Sequence, residues 1–241
     1  MIMTSIDTII TEDIKICQPV KGFRFSTDAV YLSWFVRSSP SQHLIDIGSG
    51  SGVISAILAK MGKAGRIDAV EMQEEMAQCL TKTISLSNIQ NTVSLLIKDI
   101  REYRPDFQYD GAVCNPPYRD PSSGHVSKNP TELNARFATT MKADDVFAFC
   151  RSFLKFGSPL FMSYDADMMP VLFESAFRHG FEAKRLIPVC PDINMKPKII
   201  LMEFRKGGKR ELSFEAPLYQ KINGEDSETH KKIIGGQWND F

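Results

Sequence analysis

Residues 115–118 read Asn-Pro-Pro-Tyr and follow Tyr109-Asp-Gly-Ala-Val-Cys, a run with the character of a strand ending at its carboxyl edge. A chain that leaves a buried strand and meets two prolines can neither extend the sheet nor open a helix. Each proline lacks an N–H, fixes φ and biases the residue before it toward extended geometry. Pro116 and Pro117 therefore predict a stiff loop at a strand end, which is where open α/β sheets hold ligands. Asn115 offers a side-chain oxygen, Pro116 offers a carbonyl, and Tyr118 offers a ring to stack on. Such a set fits a planar partner that carries an amino nitrogen.

A second group of residues has the chemistry of a nucleotide site. Asp46-Ile-Gly-Ser-Gly-Ser-Gly lies between an apolar strand-like run and a helical one. Gly48, Gly50 and Gly52 permit a tight turn and a close approach of ligand to backbone. Dinucleotide enzymes place a third glycine where this chain has Val53, so the spacing departs from theirs. Glu71, with Met72 after it, ends the next strand-like run, where a carboxylate can accept from both hydroxyls of a ribose. Asp99 and Ile100 end the run after that; the first can accept from an exocyclic amine and the second can pack on a flat ring.

The elements that must position these residues alternate. A helix is predicted from Thr27, read as its N-cap, toward Ser38. A strand begins at His43, and the Gly-rich turn opens a helix over residues 53–61. Residues 66–71, 93–100, 109–115 and 160–164 read as further strands, and residues 74–87, 144–156 and 168–179 as helices. Residues 181–189 and 199–204 read as a closing hairpin. Residues 116–142 form a long polar connection, of a length that goes with function or mobility. Strand and helix in alternation predict an α/β fold with a doubly wound, mostly parallel sheet. A single domain over residues 1–241 is expected: an extension to residue 40, a core from 41 to 206, and a tail of weak pattern from 207.

Composition narrows the class. At 241 residues the chain is long enough for one core without staples. The formal net charge is zero, which argues against a strongly basic nucleic-acid binder but leaves room for a local patch. The five cysteines are dispersed and odd in number, so neither a disulfide framework nor a metal site is expected. No signal peptide or membrane-spanning run is visible, and a cytoplasmic protein is expected.

Together the Gly-x-Gly-x-Gly turn, Glu71, Asp99 and the Asn-Pro-Pro-Tyr loop resemble the class I S-adenosylmethionine-dependent methyltransferases. Gly22-Phe-Arg-Phe-Ser-Thr-Asp-Ala-Val-Tyr-Leu is similar to the amino-terminal motif of the bacterial tRNA1(Val) adenine-37 N6-methyltransferases. Asn134-Ala-Arg136 and Leu201-Met-Glu-Phe-Arg-Lys-Gly are similar to the same group. The resemblance implies a Rossmann-like sheet closed by an antiparallel hairpin strand and S-adenosylmethionine as cofactor. It implies a tRNA anticodon loop as substrate, methylation of the adenine N6 amine, and a monomer. It also implies that Thr27 and Asp28 stand near the methionine end of the cofactor; read by themselves they are a helix cap and a first-turn acid.

Arg119, His125, Lys128 and Arg136 in the long connection read first as solvated charges and second as phosphate contacts. Lys196, Lys198, Arg205, Lys206, Lys209 and Arg210 cluster in sequence and are expected either to form one phosphate-facing strip or to keep an edge strand soluble. Three other functions compete. A protein-glutamine N5-methyltransferase would use the same loop, but its usual helical amino-terminal domain has no room ahead of His43. A nicotinamide-dependent oxidoreductase is disfavoured by Val53 and by the Pro-Pro loop. A non-catalytic adaptor on the same fold is disfavoured because every site residue is present.

Overall fold

The computed structural model describes residues 3–20, 24–116 and 141–238. An antiparallel hairpin, β1 (Thr4–Thr8) with β2 (Lys15–Pro19), comes first. Helix α1 (Thr27–Phe35) follows, and then β3 (His43–Ile47), α2 (Val53–Lys60), β4 (Arg66–Glu71), α3 (Glu74–Leu86), β5 (Val93–Ile97) and β6 (Gly111–Cys114). After the long connection come α4 (Ala143–Phe153), β7 (Pro159–Asp165), α5 (Met169–Arg178), β8 (Phe181–Asp192) and β9 (Ile199–Lys206). Three short strands, β10 (Ser213–Phe214), β11 (Leu218–Ile222) and β12 (Glu225–Asp226), precede α6 (Glu228–Ile234).

Among the described residues the main sheet runs β12-β11-β8-β9-β7-β6-β3-β4-β5, with β10 also on β8. Strands β3 to β7 are parallel, and β9 runs antiparallel between β7 and β8. The expected α/β architecture with its closing hairpin is therefore present. Alternate residues of the central strands point to opposite faces. Leu44, Ile67, Ala69, Val113 and Phe161 pack with α1, α2 and α3 on one face. Ile45, Val70, Ala112, Leu160 and Met162 pack with α4 and α5 on the other.

Several boundaries differ from the sequence reading. Ser26, not Thr27, is the extended residue ahead of α1, and Thr27 is the first helical residue. The third core strand stops at Ile97 rather than Ile100, because Lys98 N–H donates to the Glu71 carbonyl and the chain then turns over Asp99. The tail of weak pattern contains β10 to β12 and α6, added on the β8 side of the sheet. It is tied back to the amino-terminal helix, since the Tyr31 hydroxyl and His230 Nδ1 are 2.6 Å apart. The amino-terminal hairpin is tied to α3: Cys17 N–H donates to Thr83 Oγ1 at 3.0 Å, and Lys15 N–H donates to Ser87 Oγ at 2.9 Å.

Candidate active site

The chain leaves β3 for β4 and β5 on one side, then returns to lay β6 on the other side of β3. This reversal opens a crevice at the carboxyl ends of β3 and β6, the place where such sheets bind ligands. Ile47 is the register partner of Cys114, so Gly48 and Asn115 leave adjacent strands at the same level. Glu71 is paired with Ile97 and Val70 with Ile47, which sets Glu71 and the Asp99 turn along the same rim. Met162 pairs with Cys114, which brings Ser163 to the flank of Asn115. The structure thus collects Asp46, Gly48, Gly50, Gly52, Glu71, Met72, Asp99, Ile100, Asn115 and Pro116 at one end of the sheet. Pro117 and Tyr118 lie outside the described residues, as do Arg119, His125, Lys128 and Arg136.

The Gly-rich turn is held from below. Gly48 and Ser49 both donate their N–H to the Val70 carbonyl, at 2.9 and 3.0 Å, and Gly50 N–H donates to Glu71 Oε2 at 2.8 Å. Gly48, Gly50 and Gly52 all have positive φ, a region that side chains with a Cβ seldom enter. Gly52 has a second reason to be glycine: a Cβ there would come within 2.1 Å of Leu80 Cδ1. Close packing between α2 and α3 is therefore Gly52's task, and Val53 has no need to be small.

Asp46 is fully buried under this turn. Its Oδ2 accepts from Ser55 Oγ at 2.6 Å, while Oδ1, like Ser49 Oγ, has no hydrogen-bond partner among the described residues. Burial pushes the Asp46 carboxyl up to about 7; the Ser55 hydrogen bonds pull it down and the Glu71 charge pushes it up. Two unsatisfied buried oxygens under a glycine turn are what a bound polar group would complete. Glu71 is buried as well, and its Oε1 accepts from Gln73 N–H at 2.8 Å. A carboxylate has about four acceptor positions, so two remain after Gly50 and Gln73 for a pair of ribose hydroxyls.

Asp99 has a neighbour that sequence reasoning missed. Arg101 donates to it through Nε at 3.0 Å and Nη2 at 2.6 Å, and through its backbone N–H at 2.9 Å. The Arg101 guanidinium holds the Asp99 carboxyl below its usual range, with the backbone hydrogen bond helping and partial burial opposing. Asp99 thus stays an acceptor across the neutral range. Ile100 is buried against the core under α4, and Met72 is half exposed on the rim. These positions fit an elongated nucleoside with a polar tail, which is the shape of S-adenosylmethionine. Ribose would meet Glu71, base would meet Asp99 and Ile100, and tail would meet the turn over Asp46.

Asn115 is half-buried and Pro116 buried. Ser163 Oγ donates to Asn115 Oδ1. Nothing in the sequence singled out Ser163, which sits in the apolar run Leu160-Phe-Met-Ser-Tyr and reads there as core. Thr27 and Asp28 open α1, which packs on β7 and β9. Burial raises the Asp28 carboxyl above its ordinary value; the Ser26 side chain and the Lys198 charge oppose this. Lys198 lies beside Ile199, the register partner of Asp165, so Asp28 is placed at the carboxyl rim with the other site residues.

The basic residues of the closing hairpin do not form one strip. Lys196 and Lys198 are at the β8–β9 turn, on the site rim, with Lys196 paired to Asp167 at 3.3 Å. Arg205 pairs in register with Pro159, at the amino end of β7, and Arg210 pairs with Glu182 near the start of β8. Six residues of β9, 199–204, separate Lys198 from Arg205.

Residues 27–133 match the methyltransferase small domain family. The chain is similar to the tRNA1(Val) (adenine(37)-N6)-methyltransferase of Aliivibrio salmonicida, 29% identical over 55% of this chain. It spans 56% of that relative's length, a little over half. It is similar to the protein of the same name from Vibrio vulnificus strain YJ016, 26% identical over 80% of each chain. The fold is shared with a crystal structure described as a predicted O-methyltransferase from Agrobacterium tumefaciens. There the TM-score is 0.69 at 17% identity, covering 87% of this chain and 96% of the other.

Proposed function

We propose that this chain is a class I S-adenosylmethionine-dependent methyltransferase that methylates the N6 amine of adenine in tRNA, with adenine 37 of tRNA1(Val) as the favoured target. The observation that carries the reading is the adjacency of Gly48 and Asn115 at the ends of register-matched strands. The glycine turn and Asn115 leave the sheet about one strand spacing apart, ~4.8 Å at the backbone, which supports a cofactor site beside an amine-accepting one. The names of the similar tRNA-modifying proteins support the choice of acceptor.

The bound cofactor supplies a methyl group on a cationic sulfur. The protein's task is to present a poor nucleophile to it, because the adenine amine's lone pair is delocalised into the ring. Asn115 Oδ1 and the Pro116 carbonyl accept from the two N6 hydrogens, which favours a pyramidal nitrogen with its electron pair aimed along the line of displacement. Holding that line supplies much of the rate. No base is needed beforehand, since the nitrogen becomes acidic only on alkylation and then releases a proton. The resemblance implies a stacking role on the extruded base for Tyr118, which lies outside the described residues; base–aromatic stacking contributes roughly 1–3 kcal/mol. An anticodon-loop base is easier to extract than a duplex one. The protein acts in the cytoplasm, where its tRNA is found.

The test is transfer of labelled methyl from S-adenosylmethionine to total tRNA and to protein extract, followed by nucleoside analysis. N6-methyladenosine is the expected product, and Asn115→Ala should abolish it while cofactor binding by calorimetry persists. Label in protein glutamine, or in a ring nitrogen, would refute the assignment of acceptor.

A further inference from the structure

Helix α1 begins at the carboxyl rim and runs nine residues toward the amino ends of the strands, so its last turn lies roughly 13 Å from the crevice. At that foot, α1, the end of α2, β8 and the chain after α6 enclose a cavity of about 490 Å³. Trp34, Lys63, Arg185, Glu215 and Trp238 line it, and Arg37 stands at its edge with a side chain 68% exposed. Its volume is in the range that holds small ligands.

The charges around this cavity do not balance. Lys63 Nζ donates to the carbonyls of Ser33, Trp34 and Val36 at 2.9, 2.7 and 2.7 Å, which caps the end of α1. The same ammonium lies 4.7 Å from the centroid of the Trp238 ring. No carboxylate pairs with Lys63 among the described residues. Burial, and after it the charges of Arg185 and Arg37, push the ammonium down to about 8. Of the described lining residues only Glu215 is acidic, and it meets Arg185 Nε at 2.7 Å and Arg37 at 4.0 Å. Glu203, behind Arg185 at 3.2 Å, is balanced by Arg205 at 2.9 Å. Three cations therefore share one carboxylate at the cavity wall, a surplus of two positive charges. Capping accounts for where the Lys63 ammonium sits. It does not account for the two guanidiniums beside it, which disfavour its charged form.

From this surplus of positive charge beside two indoles we infer that the cavity is a second ligand site, which takes a flat ring joined to an anionic group, of the size of a nucleoside monophosphate. A phosphate monoester carries about −1.5 to −2 charges at neutral pH, which matches the surplus. The indoles offer apolar faces to the ring. Arg37 reaches the anion through guanidinium donors, and Lys63 acts through its charge because its hydrogen bonds are directed at α1. The inference goes beyond the methyltransferase reading and does not rest on it, since no residue of the crevice takes part.

The test uses adenosine 5′-monophosphate as probe. Trp34 and Trp238 are the two tryptophans of the chain, so tryptophan emission reads this cavity directly. The titration is run with saturating S-adenosylmethionine, so that the probe does not enter the cofactor crevice. A saturable change in emission with a Kd below about 1 mM is expected. Arg37→Ala, at an exposed position, should weaken binding about tenfold with an unchanged circular dichroism spectrum. Binding should also weaken as pH rises from about 7 to about 9, because Lys63 then releases the proton that attracts the anion. The charged groups facing Lys63 through this range are Arg37, Arg185 and Glu215, with Glu203 behind them. Absence of a saturable change would overturn the inference, as would an Arg37→Ala Kd within about twofold of wild type. Equal responses to adenosine alone or to inorganic phosphate alone would overturn it too, because ring and anion are both required. Failure of S-adenosylmethionine to bind would count against the methyltransferase reading only, and the emission titration would still decide this site.

Discussion

Asp46 makes the fold sensitive to pH in a direction opposite to that of most carboxylates. It is 1% exposed, accepts hydrogen bonds from Ser55, and is pushed up to about 7 by burial. In the unfolded chain the same carboxyl titrates near 3.9. Between these values the folded protein holds a proton that the unfolded chain has released, so stability falls as pH rises. Asp46's contribution is fully present below the lower value and gone above the higher. A gap of about three pKa units corresponds to ~4 kcal/mol, of which roughly 2–3 kcal/mol falls between about pH 5 and about pH 8. Asp46→Asn has the same shape and does not titrate. Urea unfolding of both proteins across this range isolates the effect, because every other titrating group cancels in the difference. Wild type minus variant should decline by ~2–3 kcal/mol from the acid to the alkaline end. A difference that stays flat within about 0.5 kcal/mol would refute the claim that burial raises the Asp46 carboxyl. Saturating S-adenosylmethionine should reduce the decline if the unsatisfied Oδ1 meets the cofactor.

Three further outcomes are expected. Gly52→Ala combines a positive φ with a contact of 2.1 Å to Leu80, and should destabilise the fold by ~2–4 kcal/mol in thermal melts, with partial rescue by Leu80→Ala. Asp99→Asn should weaken S-adenosylmethionine binding about tenfold by calorimetry while kcat at saturation stays near wild type, because the change removes an acceptor used equally before and during transfer. Lys196→Ala with Lys198→Ala should weaken tRNA binding and reduce the slope of log affinity against log salt by about one to two, whereas Lys209→Ala with Arg210→Ala should leave both unchanged.

The core of the fold was legible because its signals are local. Apolar runs bounded by Gly62, Gly157 and Gly180 set the alternation of strand and helix, and Pro116 and Pro117 marked the end of β6. The site residues at strand ends were legible for the same reason, since Asp46, Glu71, Asp99 and Asn115 each close an apolar run. What stayed hidden depends on contacts across the sheet. Lys196 and Arg210 are near in sequence, yet an antiparallel strand of eight residues carries them to opposite ends. Arg101 carries no signal of its own in the sequence, and the turn after Ile97 folds it onto Asp99. Strands β10 to β12 have no apolar alternation because they are held by backbone pairing with β8 and with each other. Ser163 is a polar residue in an apolar strand, and only the β6–β7 register gives it Asn115 as a partner.

The order of strands also fixes which way a ligand must lie. Moving outward from the switch point, the rim carries the glycine turn at β3, then Glu71 at β4, then Asp99 after β5. Each step is one strand spacing, so the backbones that carry Glu71 and Asp99 leave the sheet about 5 and about 10 Å from β3, and the Glu71 carboxylate reaches back to Gly50 N–H at 2.8 Å. A nucleoside laid along them points its base toward β5 and its reactive tail toward β3. The acceptor must then come from the opposite side, over β6 and β7, where Asn115 and Ser163 stand. Asp28 and Lys198 lie further along this same flank, on the path that the rest of a tRNA loop would follow. On the proposed reading, the two halves of the reaction lie on opposite sides of β3.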